Sequence, residues 1–194
     1  MRENLCILIH YHEISLKGKN RSWFERCLIR NIKRQLMGLP LSKVHLTAAR
    51  IICFGVDKSY WHEYADRLKK VMGIKHATLV DQLDSDIELV QESAANQLEN
   101  VDFRTFRVST KRQYKEYPLS SQEVNEKVGE HIQSIYIKPV DLKNAEIDMK
   151  IELVKGMAYV GYERIQGYGG LPVGTSEHAV SMISSGIDSP VASF

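Results

Sequence analysis

The chain has 194 residues, enough for one or two compact domains, and its 43% hydrophobic content is ordinary for a globular protein. No run approaches the roughly 18 apolar residues that a membrane-crossing helix needs. With 26 Lys+Arg against 24 Asp+Glu the formal charge is only +2, so net charge selects no class of partner and attention shifts to where the cations cluster.

The opening stretch MRENLCILIHYHEIS is apolar only briefly. Charges and histidines follow it rather than a small-residue cleavage site, so no signal peptide is predicted and a cytoplasmic location is expected. Asn4–His10 reads as a short buried strand. Asn20 resembles an N-cap for a helix over Ser22–Met37, in which Phe24, Leu28, Ile32 and Leu36 recur every fourth residue. Gly38 and Pro40 stop it. Lys43–Thr47 and Ile51–Val56 are close enough to pair as a hairpin. Tyr60–Met72 is a second helix ended by Gly73, and Ile74–Asp81 is a further strand. The order β-α-β-β-α-β is that of a ferredoxin-like domain.

A second α/β unit follows. Asp86–Leu98 is a predicted helix. In Thr105–Lys111, Phe106, Val108 and Thr110 share one face and Arg107, Ser109 and Lys111 the other. Ser120 and Glu123 form a capping box ahead of a helix carrying Val124, Val128, Ile132 and Ile135 on one side. Ile147–Leu153 alternates cleanly, and Lys155-Gly156 turns it into Met157–Tyr162. The glycine-rich Gln166–Gly174 is the clearest linker. Beyond it come an apolar run, Ala179–Ile183, and the segment SSGIDSP. A lone strand and a helix start cannot bury a core, so only the start of a third domain is expected here. The predicted divisions are 1–81, 82–165, a linker at 166–176, and 177–194.

The three cysteines, Cys6, Cys27 and Cys53, lie in apolar settings and read as small buried hydrophobes rather than a sulfur-carrying thiol. His10 and His12 alternate near the first strand, but with no third ligand evident they read as structural. Asp81, Asp84 and Asp86 lack the Gly and distal Glu of a calcium loop and read as a turn and a helix N-terminus.

Two basic clusters stand out. Lys17, Lys19 and Arg21 crowd the loop before the first helix, and Arg26, Arg30, Lys33 and Arg34 continue along it. Arg107, Lys111, Arg112 and Lys115 extend from a strand into a loop interleaved with Tyr114 and Tyr117. Such cations suit phosphate contacts and such aromatics can stack on bases; the bland alternative is a solvated polar face. In SSGIDSP, strand, small-residue turn and Pro at the first helical turn make a ready anion site, with a plain loop before a helix as the alternative.

SSGIDSPVAS resembles the SGGxDS signature of the PP-loop ATP pyrophosphatases: Ser184, Gly186, Asp188 and Ser189 match. Ser185 stands where the signature has Gly, and if that position needs φ > 0 it carries about 1 kcal/mol of strain. His10 to Ile32 (HYHEISLKGKNRSWFERCLIRNI) resembles the opening of the tRNA 4-thiouridine synthetases, or tRNA sulfurtransferases, with His12 where a Gly is common. Gly170 to Ser176 (GLPVGTS) is similar to that family's linker, and Phe106 to Ile132 to a THUMP domain, a tRNA-binding module. The resemblance covers essentially the whole chain in the family's order. It implies a ferredoxin-like domain, a THUMP-like α/β domain and the start of a PP-loop domain of the adenine nucleotide α-hydrolase type.

The resemblance further implies a function. A complete enzyme would bind tRNA, use ATP with Mg2+ to adenylate a uridine oxygen, and accept persulfide sulfur from a cysteine desulfurase, making 4-thiouridine; some members also supply sulfur for the thiamine thiazole. It implies ATP contacts at Met182, Ile183, Ser184, Gly186, Asp188 and Ser189. It implies tRNA contacts at Lys111, Arg112, Lys115 and Arg107, then Lys17, Lys19 and Arg21. No catalytic residue and no resident metal site are expected within these residues, and a homodimer stays open. The chain by itself is expected to bind tRNA weakly and catalyse nothing. Three alternatives stay open: a stand-alone THUMP-type RNA-binding module, another THUMP-bearing enzyme such as a tRNA methyltransferase, and a PP-loop enzyme that does not act on RNA.

Overall fold

The computed structural model describes residues 5–47, 49–114, 116–177, 186–188 and 191. Strands β1 (Leu5–His10), β2 (Lys43–Thr47), β3 (Arg50–Phe54) and β4 (His76–Asp84) join helices α1 (Arg21–Gln35) and α2 (Trp61–Lys69) in the predicted β-α-β-β-α-β order. Helix α3 (Ile87–Asn96), strand β5 (Phe106–Arg112), helix α4 (Ser121–Tyr136) and strands β6 (Ile147–Val154), β7 (Met157–Gly161) and β8 (Arg164–Gln166) follow. Together the strands form one eight-stranded sheet in the order β2-β3-β1-β4-β7-β6-β5, with β8 also on β4.

The two predicted units therefore share a sheet, and the predicted boundary at 81/82 falls inside β4. The reason lies in how β4 is built. Leu79, Asp81 and Leu83 alternate onto one face; Leu79 packs in the core beneath α1 and α2, and Leu83 against the core beneath α3 and α4. Both helical pairs thus cover the same face of one strand. Asp81, read from sequence as part of a turn, is instead a buried strand residue accepting hydrogen bonds from Ser93 Oγ and Gln97 Nε2, both at 3.0 Å. Asp86 is the N-cap of α3, as expected, with Oδ1 accepting from the Glu88 N–H at 2.8 Å.

β7 and β8 follow the same edge of β4, interrupted by a bulge. Asp81 pairs with Val160 and Thr78 with Arg164, so residues 161–163 oppose residues 79–80. The Leu79 N–H donates to the Glu163 carbonyl at 2.9 Å across it. Gly161 is required at this point: a Cβ there would lie 2.0 Å from the Leu79 carbonyl oxygen.

Periodicity placed most of the core correctly. Phe24, Leu28, Ile32 and Leu36 are buried, as are Val124, Val128 and Ile132. Ile135, expected on that stripe, is 51% exposed; its neighbour Tyr136 takes the core side instead, packing on that core and donating its hydroxyl to the Ala95 carbonyl at 2.7 Å. The Ser120/Glu123 capping box is present. Asn20 makes no side-chain cap bond, because a 3-10 turn over Gly18–Asn20 runs directly into α1 and puts Asn20 in a helical conformation.

The face of the sheet opposite the helices is not flat. β3 and β6 are separated by β1, β4 and β7, yet Arg50 and Glu152 meet across them. The sheet is coiled strongly enough to fold that face over itself, burying Cys6, Leu8, Ile52, Val80 and Tyr159 as a separate small core. The glycine-rich segment after β8 is held against the ferredoxin-like half. Gly167 N–H donates to Lys75 O (2.9 Å), Gly169 N–H to Ile74 O (2.8 Å), and Asn31 Nδ2 to Val173 O (3.0 Å).

Candidate nucleic-acid interface

Strand alternation sends Arg107, Ser109 and Lys111 of β5 to the helix-free face, as predicted. The parallel partner β6 presents Asp148, Lys150 and Glu152 beside them. Asp148 gathers three of its neighbours. It accepts from Arg107 Nε at 2.7 Å, Ser109 Oγ at 2.6 Å and Lys150 Nζ at 2.6 Å. Burial pushes the Asp148 carboxyl up, but these donors outweigh it and hold it below the usual carboxylate range. Arg107 also donates to the Leu142 carbonyl at 3.1 Å. Its charge still adds to the surface potential, but its guanidinium is fixed in the sheet rather than free to reach a ligand.

Arg112 differs more. By the period of two it belongs with Val108 and Thr110, not with Lys111. Its Nη1 donates to the carbonyls of Tyr117 (3.1 Å) and Leu119 (3.0 Å), tying down the loop that follows β5. Grouping it with Lys111 by sequence proximity overlooked that alternation. Arg21 is likewise engaged: Nε donates to Glu25 Oε1 at 2.7 Å and Nη2 to Tyr11 Oη at 3.0 Å, while Tyr11 donates to the same carboxylate. Lys17 Nζ sits 5.1 Å from the Phe24 ring centroid. Lys19 is exposed, as are Arg26, Arg30, Lys33 and Arg34.

Lys111 and Arg164 are exposed and carry no ion pair among the described residues. Together with Lys150, His10, His76, Thr78 and Glu152 they line a recess of about 220 Å³ on the helix-free face. Its floor is a polar lock. Glu152 Oε1 lies 3.0 Å from His10 Nε2, Glu152 Oε2 lies 2.8 Å from Arg50 Nη2, and Arg50 is 1% exposed. Burial favours the neutral Glu152 acid, but the hydrogen bond from His10 and the charge of Arg50 win, holding it down at about 2. The His10 and His76 rings meet tilted at 37°, with centroids 4.4 Å apart. Burial first, then the charges of His10 and Arg164, bring His76 down to about 3.

His10 closes β1 and lines this recess; Lys17, Lys19 and Arg21 follow in the turns between β1 and α1 and at the start of α1, and none of the three lines it. Lys150, Arg164, His10 and His76 were not singled out as contacts from sequence. Alternation marked Lys150 as lying off the core, but nothing local brings His10 to Glu152, 142 residues away.

In the predicted nucleotide loop, Gly186 and Asp188 are exposed, Asp188 has helical geometry, and Val191 N–H donates to Ile187 O at 3.3 Å. Met182, Ile183, Ser184 and Ser189 lie outside the described residues, as does Lys115. Cys6, Cys27 and Cys53 are buried. No group of three or more His, Cys, Asp or Glu residues suited to a metal, and no helix long and apolar enough to cross a membrane, occurs among the described residues.

One sheet with helices on a single side and a cation-lined recess on the other defines a two-unit α+β protein. The ThiI ferredoxin-like domain model matches residues 6–78, and the THUMP domain model matches residues 83–163, on either side of the middle of β4. A probable tRNA sulfurtransferase of Thermoanaerobacter pseudethanolicus is 39% identical over 191 residues, covering 97% of this chain and 49% of that protein. A solved 4-thiouridine synthetase, crystallised with RNA and bound ATP, matches with a TM-score of 0.82 and 35% identity over 98% of this chain and 49% of its own. A solved protein from Pyrococcus horikoshii Ot3 matches at 0.78 and 32%, over 88% of this chain and 58% of its own. The chain belongs to the tRNA sulfurtransferase family and spans about half the length of the curated relatives it matches.

Proposed function

We propose that these residues are the RNA-gripping part of a tRNA sulfurtransferase that makes 4-thiouridine. The observation that carries this reading is the cationic end of the shared sheet, where Lys111, Lys150 and Arg164 surround one recess and Lys19 follows β1. Each cation that neutralises an RNA phosphate releases counterions, so such a surface binds folded RNA with a steep salt dependence. Arg107 and Arg112 serve the grip indirectly, by fixing β5 and the loop after it.

Gly186 and Asp188, together with Met182, Ile183, Ser184 and Ser189, would hold the phosphates of ATP in this reading. ATP with Mg2+, when bound, supplies the adenylyl group that converts a uridine oxygen into a leaving group. The sulfur reaches the base from a cysteine desulfurase. The buried cysteines of this chain take no part in that relay.

The test is tRNA binding over a salt series. Affinity should fall steeply with salt, and Lys111→Ala should weaken binding and lower the log–log salt slope by about 1. Binding indifferent to salt, or a Lys111→Ala protein that binds as the parent does, would overturn this assignment of the surface.

A further inference from the structure

We propose that the recess between His10, His76, Lys111, Lys150 and Arg164 is a discrete site for one phosphoryl group, formed where the ferredoxin-like and THUMP halves meet on the helix-free face. The proposal rests on the RNA-binding reading only for the source of that group, an RNA backbone phosphate or a free inorganic anion.

The argument begins with charge. Glu152 is the one acidic side chain in the lining, and its two oxygens are already matched by His10 at 3.0 Å and Arg50 at 2.8 Å. Lys150 is shared with Asp148 at 2.6 Å. Lys111 and Arg164 have no counter-ion among the described residues, so the recess is left with uncompensated positive charge. Those two reach it from β5 and β8, and they meet only because the sheet coils.

Hydrogen-bonding capacity points the same way. His10 Nδ1 and His76 Nδ1 are buried without a partner. A buried polar atom left unsatisfied is costly, and it marks a place where a ligand or water completes the structure. A Thr78 hydroxyl, two ammonium groups, a guanidinium, the Nδ1–H tautomer of His76 and the imidazolium form of His10, whose Nε2 is held by Glu152, are the donor set that a tetrahedral oxyanion takes. At about 220 Å³ the recess has room for one such anion with accompanying water. An anion there would also relieve His76, whose imidazole is kept neutral by burial, His10 and Arg164 against the opposing pull of Glu152.

The experiment is a titration of this chain with inorganic phosphate, read on the imidazole nitrogen resonances of His10 and His76. It is repeated on Lys111→Gln/Arg164→Gln and then with an RNA hairpin added. The site predicts saturable shifts at both rings, an upward move of the His76 titration midpoint, and at least a tenfold loss of phosphate affinity in the double variant. The variant's unchanged melting temperature would show that it folds. If RNA displaces the phosphate and its own affinity falls in the variant, the source is the RNA backbone. If phosphate binds while RNA neither displaces it nor responds to the variant, the site serves a free anion. If RNA binds but phosphate moves neither ring, the site is refuted while the RNA reading stands. If phosphate binds and RNA does not bind at all, the RNA reading fails and the site stands.

Discussion

Arg50 and Glu152 belong to strands with three others between them, one in the ferredoxin-like half and one in the THUMP half, yet their charged groups stand 2.8 Å apart. The pair welds the two halves across the coiled face of the sheet. Removing one member leaves the other buried and uncompensated, which costs about 3–5 kcal/mol. Glu152→Gln should therefore destabilise the chain by that amount in urea unfolding. Arg50→Met/Glu152→Met should cost much less than the sum of its single changes. A Glu152→Gln protein within about 1 kcal/mol of the parent, well below the cost of a broken buried ion pair, would mean that the contact is incidental.

Acid should weaken the fold in two stages. His76 titrates near 6.5 when unfolded but at about 3 when folded, so below pH 6.5 the unfolded chain takes up a proton that the folded chain refuses. Its contribution is complete above 6.5 and lost as pH falls from 6.5 towards 3. Glu152 is depressed from 4.5 to about 2, so its contribution is complete above 4.5 and lost as pH falls from there to 2. Urea midpoints measured from pH 7 to 3 should decline throughout. His76→Gln should flatten the upper part of the decline and Glu152→Gln the lower part.

Gly161 sits at the end of β7, where the chain bulges past Leu79 before β8. With a Cβ placed 2.0 Å from a backbone carbonyl oxygen, either the bulge or β4 must move. Gly161→Ala should cost about 2 kcal/mol or more, read as a lower urea midpoint. An alanine protein as stable as the parent would show that the strands can separate there freely.

At the end of α4, Ile137 adopts φ 53 and ψ 39 with its side chain 85% exposed. A β-branched residue in the left-handed region is strained and here recovers nothing by burial. Ile137→Gly should stabilise the chain by about 1 kcal/mol, a rise of several degrees in melting temperature. No rise would mean that the left-handed turn carries no strain.

The cysteines should be silent towards thiol reagents. Burial pushes the Cys6 thiol far above its ordinary range and Cys53 to about 12, and Cys27 is buried as well. A soluble aromatic disulfide should label none of the three in the folded chain and all of them in denaturant. Rapid labelling of any in the native state would reopen a sulfur-handling role.

What the sequence determined by itself was local. The spacing of Phe24, Leu28 and Ile32, the alternation of Ile147 to Leu153 and the Ser120/Glu123 cap each follow from backbone repeat lengths that operate within a few residues, and all appear in the fold. The split βαβ order was legible for the same reason. The tertiary structure alone decided which cations are available. Arg107 is drawn to Asp148, Arg112 to loop carbonyls and Arg21 to Glu25, while Lys111 is left facing His10 and Arg164. Those outcomes depend on strand order and sheet coiling, which pairings between distant residues create and which no short stretch of chain encodes.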